Sequence, residues 1–157
     1  MDYLDTVPMA DRPAAEQHEW IWLAARVLGA LALLATGTVH LQQFTRFYSE
    51  IPTIGTLFLL NFAGATVIGL ALLVPLERIA GTYGRLLVVL LAMAGIALAA
   101  VAFTFLLISE QTPLFGFKEP GYDPTAIAAA RGAEIATVVF LGAFLAGKLI
   151  PIEGDKR

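Results

Sequence analysis

Few side chains in this chain have the makings of chemistry, and most of them cluster at the ends of long apolar runs. His40 closes the first run, and Arg46, Tyr48 and Glu50 follow within ten residues. Asn61 is the one strongly polar side chain of the second run, while Arg131 and Glu134 interrupt the last, with Tyr122 just ahead of it. An ionisable group within an apolar segment is costly against lipid, so such groups face protein or water. One reading is therefore a polar pocket of His40, Asn61, Arg131 and Glu134, roofed by Arg46, Tyr48, Glu50 and Tyr122. The structural alternative pairs Arg131 with Glu134 at i,i+3, leaving His40 and Asn61 to tie helices together by hydrogen bonds. Phe44, Phe47 and Tyr48 read as an interfacial belt or as a ligand wall.

Catalytic and metal-binding sets fail on composition and spacing. There is no Cys, and the two serines, Ser49 and Ser109, lack the G-x-S-x-G elbow of a hydrolase nucleophile. No Glu-x-x-His pair exists for a di-iron site. The histidines, His18 and His40, would stand ~33 Å apart along one helix and cannot share a haem iron. No catalytic residue, metal or cofactor is assigned, and the expectation is a protein that is not an enzyme. A net charge of −3 without a basic cluster excludes nucleic acid as a partner.

The elements that position these residues are membrane spans. Of 157 residues 58% are hydrophobic and 15% charged, with a mean hydropathy of +0.76, well outside the range of soluble domains. Four apolar runs, at about residues 20–41, 54–74, 86–108 and 126–149, each match the ~20 residues that cross a bilayer as helix. Their length, and the absence of ten-residue alternating segments, selects helices over a barrel. The fold class is thus all-α: a four-transmembrane-helix bundle, threaded up-down-up-down because most links are short. Residues 1–19 form an acidic tail, 20–150 the membrane domain and 151–157 a short C-terminal tail. The acidic start and long first run argue against a cleaved signal.

Local signals refine the picture. Pro13 suits the first turn of a helix, and Trp20 and Trp22 suit an interface. PLERIAGTYGR reads as a turn, QQFTRFYSEIPT as a connection, and Asp123 before Pro124 as an N-cap and first helical residue. FYSEIP and LISEQTP form a faint internal echo, Ser49 and Ser109 lying 60 residues apart. At 100° per residue Arg26, Gly37 and His40 share one stripe, as do Arg131, Glu134, Val138 and Gly142, and both should face the bundle. Seven Lys and Arg, Arg26 among them as a snorkelling side chain, gather at one end against three at the other. Both termini should then be cytoplasmic, with Glu134 and Asn61 ~10–12 Å below the outer surface.

HL at the end of the first run, IPTIGTLFLLN, LFGFKEPGY and a last helix containing Glu134 resemble a group of small four-helix membrane proteins from actinobacteria, across roughly residues 20–150. The topology is also loosely similar to that of DoxX-like membrane proteins. These resemblances imply a multi-pass topology and a bacterial inner membrane, and they bring no activity, cofactor or site residue. The expected function is a non-enzymatic accessory or structural subunit that packs against a larger membrane protein or its own copies. The alternatives are a protein binding a lipid, quinone or other small amphiphile in the outer pocket, and a small transporter acting as an oligomer.

Overall fold

The computed structural model describes the backbone of residues 14–149 and the side chains of residues 19–148. The expectations for Pro13, the side chain of His18, the rest of the acidic tail before residue 14 and the C-terminal tail lie outside the described residues. Four helices follow one another: α1 (Ala14–Gln43), α2 (Pro52–Leu73), α3 (Leu76–Gln111) and α4 (Pro124–Leu149). Among the described residues, extended pairing is confined to one bridge between Leu114 and Phe117. All four helices are long and apolar enough to cross a bilayer, and the protein is a small multi-pass membrane protein with an all-α, four-helix fold.

The structure gives both short connections a definite form. The one after α1 contains a π-helical turn, Phe44–Tyr48, closed by the Ser49 N–H donating to the Phe44 carbonyl at 3.0 Å. Extended backbone at Ile51 and Pro52 in the first turn then start α2. The reversal is so tight that a Cβ on Gly55 would come within 2.5 Å of the Tyr48 carbonyl oxygen. PLERIAGTYGR is likewise mostly helix, because the turn is confined to Val74 and Pro75 and α3 starts at Leu76. Gly81 (φ 53°, ψ −124°) breaks that helix after one short segment, in a conformation open to glycine and strained for other residues. The echoed Ser-Glu pairs also part company: Glu50 is exposed, whereas Ser109 is buried and Glu110 bonds Arg131.

α1 lies against both α2 and α4, and α3 closes the group against α4 and, more sparsely, α2. Small residues set the spacing. Gly29 and Gly95 receive Leu141, Gly69 receives Leu34, and Gly37 meets Ala65. Leu33, Leu72, Val88, Leu141 and Phe144 fill the buried centre. Trp20 is exposed as an interfacial anchor would be, but Trp22 packs on Gly147 and joins the core. The outward faces carry Val67, Leu70, Leu90, Met93 and Val139, a surface suited to lipid.

On α4 the buried seam is Ala126, Ala130, Glu134, Thr137, Leu141 and Phe144. The expected stripe is therefore rotated. Val138 is 37% exposed, and a Cβ on Gly142 would meet open space. Arg131 and Gly142 pulled the sequence estimate off the true face, since Arg131 sits near the helix end where it reaches a partner outside the core.

Arg26 is buried rather than snorkelling. Its Nε donates to the Leu72 carbonyl at 2.6 Å and Nη2 to the Val74 carbonyl at 2.5 Å, while Nη1 bonds Glu77 at 2.7 Å. The Leu72 carbonyl is one that the end of α2 leaves without an intrahelical donor, the Val74 carbonyl just beyond it also accepts from the Leu76 N–H at 2.8 Å, and a cation there suits the helix dipole. Arg26→Met should lower stability in detergent by about 3 kcal/mol, the usual cost of stranding one partner of a buried pair. Arg26→Lys should recover less than half of that, because an ammonium lacks the planar fork. Thermal unfolding of the two variants checks both.

Candidate functional site

A cavity of about 210 Å³ lies among all four helices, at the end of the bundle where α1 passes into its π-helical turn. α1 contributes His40 and Gln43, the π-helical turn Tyr48, and α2 Phe58 and Asn61. From α3 come Phe105 and Ser109, from α4 Ala130 and Glu134, and from the loop between them Phe117 and Glu119. The extra residue per turn of the π-helix is what a local widening of the backbone supplies. Tyr48, at its end, is buried and stacks on Phe58 with ring centres 4.5 Å apart.

His40, Tyr48, Asn61 and Glu134, all singled out in the sequence, line this one cavity. The other four do not. Arg131 pairs with Glu110 on α3 instead of Glu134, Arg46 stands largely exposed 4.0 Å from Asp123, and Glu50 is exposed. Tyr122 lies outside, stacked on Phe47 at 5.7 Å. The structural alternative fares no better in its details. His40 bonds its own helix, and the Asn61 Oδ1 has no partner, so neither ties two helices together by the bonds expected of it.

The geometry fixes what the cavity offers. Nδ1 of His40 lies 2.9 Å from the Thr36 carbonyl, which only accepts, so Nδ1 carries the proton and in the neutral ring Nε2 presents a lone pair. That Nε2 stands 4.0 Å from Glu134 Oε1, too far for a hydrogen bond. Glu134 is 1% exposed and neither carboxylate oxygen has a partner; Asn61, 6% exposed, also keeps its Oδ1 unpartnered. Among the described residues no group of three potential metal ligands occurs.

The roof is strapped down by polar contacts. Leu114 and Phe117 exchange backbone hydrogen bonds around Phe115 (φ 52°) and Gly116 (φ 80°), the positive pair of a type I′ turn. Tyr48 donates to Glu119 Oε2 at 2.5 Å, the Gly121 N–H donates to Oε1 at 2.8 Å, and the Glu119 N–H reaches the Ser109 carbonyl at 2.9 Å. Asp123 caps α4 as its sequence position predicts, accepting from the Ala126 N–H at 3.0 Å and from Gln43 at 3.1 Å. Sequence reasoning missed Gln43, Phe58, Phe105, Phe117 and Glu119. For the last two, the Pro- and Gly-rich composition of their loop was the available signal.

The Ala126 N–H, then the Gln43 amide, hold the Asp123 carboxyl below its usual range. A carboxyl lowered on folding contributes stability above its unfolded value, ~3.9, and loses it as pH falls through the folded one. Acidification below that range should therefore speed amide exchange at the start of α4, and Asp123→Asn should abolish this acid response. Tyr48→Phe should raise exchange in residues 112–121 about tenfold, the effect of one hydrogen bond to a charged acceptor, while helix content stays the same. Hydrogen-exchange mass spectrometry and circular dichroism measure both.

Comparisons with protein-family models, with curated proteins and with solved structures find no match to the chain, so no relative's activity bears on the cavity.

Proposed function

We propose that this membrane protein binds the head group of a small amphiphile in the cavity at the α1 to α2 reversal. The observation that carries the reading is Glu134, a carboxylate that is 1% exposed, lines the cavity and has no partner for either oxygen. Leaving a buried polar group unsatisfied costs about 1–3 kcal/mol, more when it is charged. A fold that retains such a group has a use for it, and a ligand that completes its hydrogen bonds is the simplest.

Size and access support the same reading. An apolar cavity of ~150 Å³ accommodates benzene, so about 210 Å³ suits a ring-sized head rather than a whole lipid. Leu60 and Val101, 60% and 50% exposed, contribute to the lining, which brings the cavity to the lipid-facing side between α2 and α3. A head can enter there while its tail stays in the bilayer. The sequence's excess of Lys and Arg on the side opposite His40 favours an up-down-up-down thread with both termini cytoplasmic, and in that orientation the cavity would lie in the outer leaflet, of the inner membrane if the cell is bacterial.

A second reading, an accessory subunit docked on a larger membrane protein, draws on the exposed aromatics Phe47, Phe115 and Tyr122 around the outer loop. One experiment separates the two. Native mass spectrometry of protein purified in mild detergent should reveal a non-covalent ligand of defined mass. Ala102→Leu and Ala130→Leu, which fill the cavity, should weaken its retention about tenfold, the scale of a 1.4 kcal/mol loss. An empty wild-type protein that co-purifies with a stoichiometric larger companion would replace the binding reading with the accessory one.

A further inference from the structure

The polar walls of the cavity are unbalanced. The donors that line it are largely committed elsewhere: His40 Nδ1–H to the Thr36 carbonyl, the Gln43 amide to Asp123, the Tyr48 hydroxyl to Glu119 and the Ser109 hydroxyl to the Leu106 carbonyl. Of the lining side chains, the buried atoms without a partner are acceptors, both oxygens of Glu134 and Oδ1 of Asn61; the neutral His40 ring adds a lone pair at Nε2, and the Asn61 amide also carries N–H donors. No Lys or Arg is among the lining residues. The nearby guanidiniums lie outside the lining: Arg131 bonds Glu110 through Nη2 while its Nε stays buried without a partner, and Arg46 stands beside Asp123.

We infer that the head bound in the cavity is a protonated amine, an ammonium carrying apolar groups, with Glu134 and Asn61 as its acceptors. This rests on the binding reading above and narrows it to one class of ligand. An ammonium brings N–H donors to these acceptors, and with Glu134 ionised the two charges compensate each other. At 4.0 Å apart, His40 Nε2 and Glu134 Oε1 are spaced so that one ammonium nitrogen placed between them can donate to both. The stacked rings of Tyr48 and Phe58, with Phe105 and Phe117 on the same lining, add faces that attract a cation. Other heads fit worse. A carboxylate or phosphate meets an ionised Glu134 as a like charge, and an oxidised quinone offers carbonyl acceptors only, which leave both Glu134 oxygens and the Asn61 Oδ1 without donors. A hydroxyl supplies donors but leaves the carboxylate charge in place.

Four probes, each with one aromatic ring and one octyl chain, test the assignment on the purified full-length protein in nanodiscs: N-octylbenzylamine as the cation, octyl benzyl ether as its neutral isostere, 4-octylbenzoate as an anion and octylhydroquinone as a neutral donor. The amine should bind about 10- to 100-fold more tightly than the ether, the range one charge-assisted hydrogen bond supplies, and the benzoate should not bind. Glu134→Gln, checked for folding by circular dichroism and gel filtration, should bring amine and ether to within about threefold of each other. The ranking of probes on the wild-type protein stands by itself if that variant does not fold. Octylhydroquinone equal to or tighter than the amine would overturn the ammonium assignment and leave the cavity a binding site. Failure of all four probes, with a native ligand still retained and displaced by Ala130→Leu, would do the same. Failure of all four with no retained ligand would overturn the binding reading too.

Discussion

Backbone carbonyls at the end of a membrane helix need donors, and at the end of α2 a side chain from another helix joins the backbone in supplying them. Arg26 binds the Leu72 and Val74 carbonyls at the end of α2 and the first carboxylate of α3 together. Three chain segments are joined there through a planar group with five donors. With that end fixed, and with glycine and alanine letting α1 approach α2 and α4 closely along the middle of the bundle, the opposite end need not be solid. Close packing in one half is what allows a void in the other.

The far end is held differently. Its contacts run between a π-helical turn, a short hairpin loop and the cap of α4, and they are polar and local: Tyr48 to Glu119, Gln43 to Asp123, the Glu119 N–H to the Ser109 carbonyl. None of them fills the space beneath. They form a lattice over an aromatic chamber whose floor is a carboxylate. The two ends therefore divide the labour of the fold, one contributing rigidity and the other a shaped volume with access to the lipid-facing surface.

Much of this was legible in the chain. Long apolar runs dictated four spans, Asp123 before Pro124 marked the start of α4, and helical phase put Arg26, Gly37 and His40 on one inward face, as their contacts with Leu72, Ala65 and Glu134 bear out. Three features were not legible, each for a physical reason. Helix content in the α2 to α3 link depends on one glycine at positive φ and on a fold-back over Leu76, which no periodicity encodes. The partner of Arg131 is set by which helix end lies beside it, so the i,i+3 rule selected Glu134 where tertiary geometry selected Glu110. The phase of α4 was drawn off by Arg131, whose partner lies at the end of α3, and by Gly142, which no neighbouring helix approaches, so that neither charge nor smallness marked the inward face. The lining aromatics Phe58, Phe105 and Phe117 could not be told from lipid-facing ones until the helices were placed.

The π-helical turn has an evolutionary meaning as well as a mechanical one. A π-turn holds one more residue than the α-helical turn it replaces, so everything beyond it is shifted in phase by ~100°. In Phe44–Tyr48 that surplus residue governs the direction of Tyr48 and the start of the Ile51–Pro52 reversal. A one-residue deletion here would restore a regular helix and lose the register on which roof and chamber both depend. The segment is thus more sensitive to length than to the identity of any one of its side chains, Tyr48 apart. Descendants of this chain are free to vary the composition of the turn but not its count.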